Sequence, residues 1–452
     1  MTYLRHLRCF RCGHTYPPGP HWGGCPACAA AGKPANLHCV YDYARVAQAL
    51  DRTALASRPH TMWRYRELLP AAEQHVASLD EGFTPLLRAE RLGRSYGLDH
   101  LYLKDESRNP TWSFKDRLAV VMAAKAREFG RQVLAVASSG NAGAATAAYA
   151  ARGDLDAYLF TTEQFPPTMR AFMQAYGAKV FAVPTAPDRL TMVRRGVEEQ
   201  GWVPIQNYTL PPVGAPAYAL DGAKTVGFEL AEQLGWRAPD VVVAPTSNGD
   251  LPVGVWRAFQ ELRELGWVVS IPRMVAAEVY GALQNALAND LDHTEPMPGG
   301  PTVAVSAANQ VSAYQSLAML RQTGGTAIGA TDDEIMAEQL RLARTEGLWA
   351  EAASALTLAA IRKLAAQGAI RRDEVVVALI TSTGLKDPDV TLRYVPPIPL
   401  IQPTFADLQR ALAESYADPS TTGVQGRSPA GGLGVSPNIP LSPPRIGGPG
   451  GR

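Results

Sequence analysis

The sequence predicts an α/β protein whose helices cover parallel sheets. From about residue 41 to 415, short β-branched runs alternate with alanine-rich helical stretches, a pattern typical of parallel sheets covered on both faces. A length of 452 residues allows two or three domains with a large core. The first 40 residues differ, because they are rich in Cys, His, Gly and Pro and show little apolar periodicity.

The charge balance and the apolar pattern narrow the class of function. The 43 basic and 42 acidic residues give a net charge of +1, whereas nucleic-acid binders usually carry a basic excess. We therefore expect no nucleic-acid partner. The sequence shows no apolar run of bilayer length and no apolar signal region after its first residues. We expect no membrane contact and a cytoplasmic location.

The elements of the core follow from the hydrophobic pattern. Strands are predicted at Val133–Ala137, Ala157–Thr161, Lys179–Val183, Val241–Ala244, Met274–Val279 and Val375–Thr381. Helices are predicted at Leu118–Glu128, Ala142–Ala151, Thr168–Tyr176, Gly222–Leu234, Pro252–Leu265, Asp332–Glu346 and Ala353–Ala366. Ligands of such sheets bind at the carboxyl ends of the strands, so the loops after the strands are where we expect the site.

Paired cysteines predict a metal site before the core. The motifs Cys9-x2-Cys12 and Cys25-x2-Cys28 are twelve residues apart, the spacing of a tetrathiolate zinc ribbon. Reduced thiols without metal and disulfides are the alternatives. Three histidines are alternative ligands: His14, His21 and His38. A closed four-thiolate site leaves no open position for chemistry, so we expect the Zn²⁺ to be structural.

The chain divides into three predicted parts. Residues 1–40 are predicted to form the zinc ribbon and residues 41–400 the α/β core, with a smaller subdomain at about 130–225 inserted in the larger one. Residues 418–452 are rich in Gly, Pro and Ser and have few large apolar groups. They bury too little surface to offset the entropy of ordering, so the sequence predicts a disordered tail.

One lysine has the clearest chemical meaning. The stretch from Asn109 to Arg117 reads Asn-Pro-Thr-Trp-Ser-Phe-Lys-Asp-Arg and places Lys115 between a turn and the helix predicted from Leu118. A lysine amine forms an imine with an aldehyde cofactor, and desolvation or nearby positive charge makes it reactive. Most lysines are solvated surface charges, so the prediction needs other segments that suit the same cofactor.

Three loops after predicted strands supply such segments. Ser138 to Asn141 open a helix, where backbone N–H groups bind anionic oxygens; an ordinary helix cap is the alternative. Ser247 to Leu251 form a small-residue loop before a helix, which suits a phosphate cradle or an ordinary turn. Asp250 is unfavourable there unless its carboxylate turns away. Thr381 to Thr383 offer hydroxyls at the end of the last strand.

Together these segments resemble fold type II pyridoxal-phosphate-dependent enzymes of the tryptophan synthase β superfamily, and most closely the threonine synthases. The matching segments are Asn109–Thr111, Ser113–Arg117, Ser139–Asn141, Ser247–Leu251 and Gly384–Pro388, with weaker matches at Ala277–Glu278, Glu346–Leu348 and Glu351–Ser354. The resemblance covers about residues 1–395. It implies two parallel or mixed open-sheet domains, pyridoxal 5′-phosphate as cofactor and a homodimer, and some threonine synthases carry such a zinc ribbon.

The resemblance implies a role for each matched residue. Lys115 would hold the cofactor through its amine and move protons at the substrate. Asn141 would bind the cofactor's ring oxygen, and Thr381, with Ser382 as the neighbouring candidate, would meet its ring nitrogen. The cofactor phosphate would be held by backbone N–H groups of Ser247, Asn248, Gly249, Asp250 and Leu251. The substrate carboxylate would be held by Ser138, Ser139 and Asn141.

The implied reaction is a lyase reaction, β- or γ-elimination or replacement on an amino acid. Ala142 and Ala219 stand where the family has a threonine and an arginine, and Trp112 replaces a glycine. These departures leave the use of O-phosphohomoserine open, and possible substitutes for the arginine are Lys104, Arg117 and Lys224. The alternatives are a serine/threonine dehydratase-like enzyme, a β-replacement enzyme for O-phosphoserine or O-acetylserine, and a non-catalytic threonine synthase-like binding protein.

Overall fold

The structure, a computed structural model, describes residues 2–163 and 165–415. Of these, the residues up to Val395 form one compact unit, and residues 396–415 belong to a second unit that contains the helix Phe405–Ser415. The tail predicted at residues 418–452 lies outside the described residues. In the described part of the chain, no helix combines the length and the apolar character that crossing a membrane requires.

The strands confirm the predicted α/β class. Their bounds are β1 Leu4–Cys9, β2 Thr15–Tyr16, β3 Leu37–Tyr41, β4 Leu86–Arg88, β5 His100–Asp105, β6 Val133–Ala137, β7 Asp156–Thr161, β8 Lys179–Ala182, β9 Val203–Pro204, β10 Val241–Pro245, β11 Arg273–Glu278, β12 Thr326–Gly329 and β13 Val375–Ile380. Each of the six predicted strands is present, with bounds that differ by at most one residue at either end.

The helices alternate with these strands. Their bounds are α1 Pro26–Ala30, α2 Tyr43–Ala49, α3 Arg52–Leu55, α4 Glu90–Tyr96, α5 Lys115–Glu128, α6 Asn141–Arg152, α7 Pro167–Ala175, α8 Ala186–Gln200, α9 Ala217–Gln233, α10 Asp250–Glu264, α11 Ala282–Ala288, α12 Tyr314–Thr323, α13 Asp332–Glu346, α14 Ala352–Ala366, α15 Pro388–Leu392 and α16 Phe405–Ser415. Short 3₁₀ turns lie between them, for example at Glu106–Arg108 and Gly384–Lys386. Helix α13 begins with a capping box formed by Thr331 and Glu334.

Two sheets carry the core. The larger one has the strand order β12-β11-β10-β13-β5-β4, and only β4 is antiparallel to its neighbour. The smaller one has the order β8-β7-β6-β9, all parallel. Central strands such as β10 are buried on both faces, as expected where helices cover a parallel sheet on each side. The domain boundaries stay a prediction.

The N-terminal segment is a separate small sheet in the order β2-β1-β3, with antiparallel pairing. Its side chains Leu7 and Leu37 are fully buried. Asn36, just before β3, donates a hydrogen bond from Nδ2 to the Ala215 carbonyl at 2.7 Å. The cysteine-rich segment is therefore fastened to the core close to the start of α9.

Helices α5 and α9 pack closely and place Lys115. Gly222 on α9 faces the Arg117 carbonyl on α5, where an added Cβ would lie only 2.0 Å from the oxygen. A larger residue at position 222 would push the two helices apart. The close packing fixes the first turn of α5, and Lys115 is the first residue of that turn.

Candidate active site

Lys115 lies where the lysine segment meets the end of β13. The Phe114 N–H donates to the Thr381 carbonyl at 3.2 Å, and Ser113 and Ser382 form an isolated β-bridge. The Ser382 hydroxyl also lies 2.9 Å from the Trp112 carbonyl oxygen. Two segments that are far apart in sequence are thus joined around the lysine, as the resemblance implies.

The Lys115 amine is desolvated and contacts the Phe114 ring. Its Nζ lies 4.3 Å from the centre of the Phe114 ring, and among the described residues no group accepts a hydrogen bond from it. Although part of the side chain is exposed, desolvation lowers the pKa of the Lys115 amine, while the carboxylates of Asp250 and Glu351 oppose that shift. A desolvated amine without partners favours its neutral, reactive form.

Asn141 is held from both ends of its amide. It is the first residue of α6, directly after the loop that follows β6. Its Oδ1 accepts hydrogen bonds from Lys386 Nζ at 2.7 Å and Ser382 Oγ at 3.1 Å, and its Nδ2 donates to Glu351 Oε2 at 2.9 Å. A cavity of about 130 Å³ opens here, and its lining includes Ser139, Asn141, Glu351 and Lys386.

Thr381 belongs to the same polar network. Its Oγ1 lies 2.8 Å from Ser354 Oγ and 3.4 Å from Glu351 Oε1. Ser354 Oγ also accepts the Thr381 N–H at 2.9 Å. Glu351 therefore stands between Thr381 and Asn141, the residues that the sequence assigns to the ring nitrogen and the ring oxygen of one cofactor.

The loop before α10 presents unused N–H groups. The Ser247 carbonyl accepts from Ser312 Oγ at 2.9 Å and the Asn248 carbonyl from Ser316 Oγ at 2.8 Å. Because the C=O and N–H of a trans peptide point in opposite directions, the next N–H groups face away from these serines. Within the described residues, the backbone N–H groups of 247–251 donate to no acceptor, and α10 has no side-chain cap.

Gly249 and Asp250 fit this loop for different reasons. Gly249 has φ +91°, and an added Cβ would lie 1.8 Å from Ser316 Oγ, so the tight approach needs glycine. The Asp250 carboxylate is buried and accepts the Ala215 N–H at 2.8 Å through Oδ1. The carboxylate thus has a backbone partner away from the loop's free N–H groups. Burial raises the pKa of this carboxyl, while Lys115 opposes that shift.

The cations considered as substitutes for the family's arginine are already paired. Lys104 Nζ lies 2.7 Å from Glu229 Oε2, and Arg117 Nε lies 2.7 Å from Glu106 Oε2. Lys224 Nζ lies 2.9 Å from Glu261 Oε2. All three cations are fully buried in these pairs, and removing a partner from a buried pair is costly. They therefore hold the core together and are not free for a substrate.

Trp112 adopts a backbone conformation that suits glycine. Its φ is +60°, in the left-handed region that side chains rarely adopt. The indole is 47% exposed and stacks on Phe172 of α7 with ring centres 5.2 Å apart. Where the family has glycine, this chain therefore places an aromatic surface beside the lysine segment.

Three groups near Lys115 were not assigned a role from the sequence. Lys386 lies within the matched Gly-Leu-Lys-Asp-Pro segment and Glu351 within a weaker match, which is the signal that would have drawn attention to them. The third, the Ser113 hydroxyl, is buried and has no hydrogen-bond partner in the described residues. A buried hydroxyl without a partner is the kind of group that a bound ligand satisfies.

The cysteine cluster has the dimensions of a metal site. The Sγ atoms of Cys9, Cys12, Cys25 and Cys28 all lie within 4.8 Å of one another. The Cys9–Cys28 and Cys12–Cys25 sulfur distances are both 3.6 Å, far longer than a disulfide bond of about 2.05 Å. Tetrahedral zinc with Zn–S bonds of about 2.3 Å places its sulfurs about 3.8 Å apart.

Comparison with known proteins identifies the class to which this fold and site belong. The family described as "Pyridoxal-phosphate dependent enzyme" matches residues 77–382, which include all the predicted cofactor residues. The chain therefore belongs to the family of pyridoxal-phosphate-dependent enzymes.

Within that family, the chain is similar to threonine synthases. It is 34% identical to the threonine synthase of Methanosarcina acetivorans over 397 residues, which cover 86% of this chain and 94% of that relative. It is 35% identical to the enzyme of Methanocaldococcus jannaschii over 394 residues, covering 85% and 94%. The chain is a threonine synthase-like, pyridoxal-phosphate-dependent lyase.

Solved structures show the same fold. The processed form of threonine deaminase isoform 2 from Solanum lycopersicum superposes with a TM-score of 0.59 at 19% identity, covering 76% of this chain and 89% of that one. A fungal L-serine ammonia-lyase from Rhizomucor miehei gives 0.58 at 19% identity, covering 69% and 96%. This confirms the predicted fold type II architecture.

Proposed function

We propose that the chain catalyses β- or γ-elimination, with or without replacement, on an amino acid, using pyridoxal phosphate held on Lys115. The observation that carries this proposal is the convergence of three distant segments on one lysine whose amine has no hydrogen-bond partner in the described chain. A non-catalytic binding protein has no need of such an amine.

Residue roles follow from the donors that the site leaves free. The unused N–H groups of 247–251 hold the cofactor phosphate, as N–H groups at a helix start do. Asn141 donates to the ring oxygen, and the Thr381 hydroxyl meets the ring nitrogen. Ser138 and Ser139 bind the substrate carboxylate together with the backbone N–H of Asn141. When bound, the cofactor would supply electron withdrawal at the substrate's α-carbon, and Lys115 would accept and return the protons there.

The hydroxyl at the ring nitrogen bears on the type of reaction. A carboxylate in place of Thr381 would keep the ring nitrogen protonated and strengthen electron withdrawal. A neutral hydroxyl does not impose that protonation. We infer that this arrangement favours elimination and replacement over transamination.

The substrate's leaving group is the open part of this proposal. Ala142 and Ala219 are buried apolar residues, and the cations considered as substitutes are consumed in ion pairs. These observations favour an amino acid without a phosphate on its side chain, of the type that serine/threonine dehydratases or O-acetylserine-using β-replacement enzymes take, as a second candidate beside O-phosphohomoserine.

A substrate panel tests the proposal. Purified protein reconstituted with pyridoxal phosphate is expected to be yellow and to release keto acid or exchange products from at least one of O-phosphohomoserine, O-phosphoserine, O-acetylserine, threonine and serine. Lys115→Ala is expected to lose both the covalent cofactor and the turnover. A colourless parent protein that cannot be reconstituted would refute the proposal. Rapid conversion of O-phosphohomoserine to threonine would reject the second candidate only.

We also propose that the four-cysteine cluster holds a structural Zn²⁺. The sulfur distances support this assignment, as does the absence of any disulfide among the described cysteines. Residues 1–40 would then be a zinc ribbon, residues 41–400 the catalytic core and about 130–225 its smaller subdomain. By analogy with the family, we further propose a cytoplasmic homodimer.

A further inference from the structure

Lys386 is a buried amine that the proposed mechanism does not use. Its side chain is only 7% exposed, and its Nζ donates to Asn141 Oδ1 at 2.7 Å. The nearby charged groups are Glu351, before α14, and Asp116 on α5, and both favour its charged form. Keeping a lysine in such a place costs desolvation energy, so its contact with Asn141 calls for an explanation.

The orientation of the Asn141 amide is determined by its three partners. Lys386 is a pure donor, so the atom it contacts must be the acceptor Oδ1. Ser382 Oγ reaches the same oxygen at 3.1 Å. The Glu351 carboxylate, an acceptor when ionised, lies 2.9 Å from Nδ2. Turning the amide over would place its NH₂ against the ammonium group and its oxygen against the carboxylate.

The network also accounts for the hydrogens of Nδ2. An amide nitrogen carries two hydrogens, and one of them is donated to Glu351. The second has no acceptor among the described residues. An Asn141 locked in this orientation therefore offers one N–H to a ligand oxygen and never its own carbonyl oxygen.

We propose that Lys386 is a positioning residue, which locks the Asn141 amide so that its nitrogen is presented to the cofactor's ring oxygen. The inference rests on the proposed function, in which Asn141 meets that oxygen. Without Lys386 the amide is held on that side by Ser382 alone and turns over more readily. In the turned amide, Asn141 Oδ1 faces the cofactor's ring oxygen, and no hydrogen bond forms between these two acceptors.

The test uses the full chain reconstituted with pyridoxal phosphate. Lys386→Met keeps the length of the side chain and removes the donor. We expect it to bind pyridoxal phosphate about tenfold or more weakly, the effect of losing roughly one hydrogen bond to a charged acceptor. The pH midpoint of its visible absorbance is expected to rise by about one unit, because the ring oxygen loses its donor and the site loses a positive charge.

Matched variants separate positioning from stability. Lys386→Arg keeps charged donors, and its pH midpoint is expected to stay close to that of the parent protein. Ser382→Ala removes the neutral donor and is expected to shift the midpoint in the same direction by less, which also covers the case in which Lys386→Met does not fold. Lys125→Met removes another buried lysine, paired with Glu128 at 2.7 Å outside the site, and is expected to lower the melting temperature without moving the midpoint.

The outcomes are distinguishable. Lys386→Met with the parent's cofactor affinity and pH midpoint would overturn the positioning role while leaving the proposed function intact. A midpoint that moves equally in Lys125→Met would also overturn it, because the shift would then report general destabilisation. A parent protein that takes up no pyridoxal phosphate would instead overturn the proposed function.

Discussion

Lys115 and Lys386 differ in what holds their amines. Lys115 Nζ has no hydrogen-bond acceptor among the described residues, whereas Lys386 Nζ is bonded to Asn141. Desolvation lowers the pKa of both amines. The Lys115 amine is available for covalent chemistry, whereas the Lys386 amine is engaged in a hydrogen bond to Asn141. We therefore expect the cofactor to be carried by Lys115 and not by Lys386.

The titration of Lys386 gives a stability prediction. Burial lowers the pKa of Lys386 from 10.5 to about 8. The unfolded chain therefore binds more protons than the folded chain between these two pH values, and stability rises with pH across that window. We expect the free energy of unfolding of the parent, relative to Lys386→Met, to increase by up to about 3 kcal/mol between pH 8 and 10.5. Denaturant unfolding at several pH values measures this increase, and a difference that does not change with pH would contradict the lowered pKa of Lys386.

Gly249 packs against Ser316 without room for a side chain. Gly249→Ala adds a Cβ 1.8 Å from Ser316 Oγ at φ +91°, so we expect a loss of stability of about 1–3 kcal/mol and weaker cofactor binding. Gly266→Ala, at the other end of α10, has φ +71° but open space around the added atom. It is expected to lose some stability and keep the parent's cofactor affinity. Equal affinities of the two variants for pyridoxal phosphate would contradict the proposal that the loop 247–251 holds the cofactor phosphate.

At the scale of elements, the N-terminal sheet is connected to the loop before α10. Asn36 donates to the Ala215 carbonyl at 2.7 Å, and the Ala215 N–H donates to Asp250 at 2.8 Å. Ala215 thus accepts a hydrogen bond from the cysteine-rich segment and donates one to Asp250, the first residue of α10. Removing one of these hydrogen bonds is expected to make the loop before α10 more mobile and cofactor binding weaker.

Asn36→Ala tests that connection. We expect cofactor affinity to fall several-fold, because the hydrogen bond to the Ala215 carbonyl, of about 1 kcal/mol, is lost together with the one that Asn36 Oδ1 accepts from the Leu37 N–H. The pH midpoint of the visible absorbance is expected to stay unchanged. The control is Arg5→Ala, which changes an exposed residue of β1. Titration of the apoprotein with pyridoxal phosphate gives both affinities, and an Asn36→Ala affinity equal to that of the control would show that the segment does not support the loop.

The elements show what the sequence could and could not predict. The capped helix α13 and the strand β6 were predicted with their observed bounds, because their patterns are local. Helix α10 begins at Asp250, two residues before the predicted Pro252, because Gly249 in the left-handed region sets the start. The contact between Lys386 and Asn141 depends on how the two sheets are placed, and no local pattern encodes it.

At the scale of the whole molecule, the chain combines a cofactor enzyme with a cysteine cluster. One Zn²⁺ per chain is expected by metal analysis. Cys12→Ser removes a ligand and is expected to lose the metal and lower the melting temperature, since a structural zinc site contributes folding energy. Cys39→Ser changes a buried cysteine outside the cluster and is expected to keep the metal. Metal-free parent protein of unchanged stability would contradict the zinc assignment.

Lys115 is the residue that we propose to carry the cofactor. Reduction of the holoprotein with borohydride fixes the cofactor on the lysine that holds it, and peptide mass mapping then identifies that lysine. We expect a pyridoxyl-phosphate adduct on the peptide that contains Lys115, and none on the peptide that contains Lys386. An adduct on Lys386, or on no lysine of the chain, would contradict it.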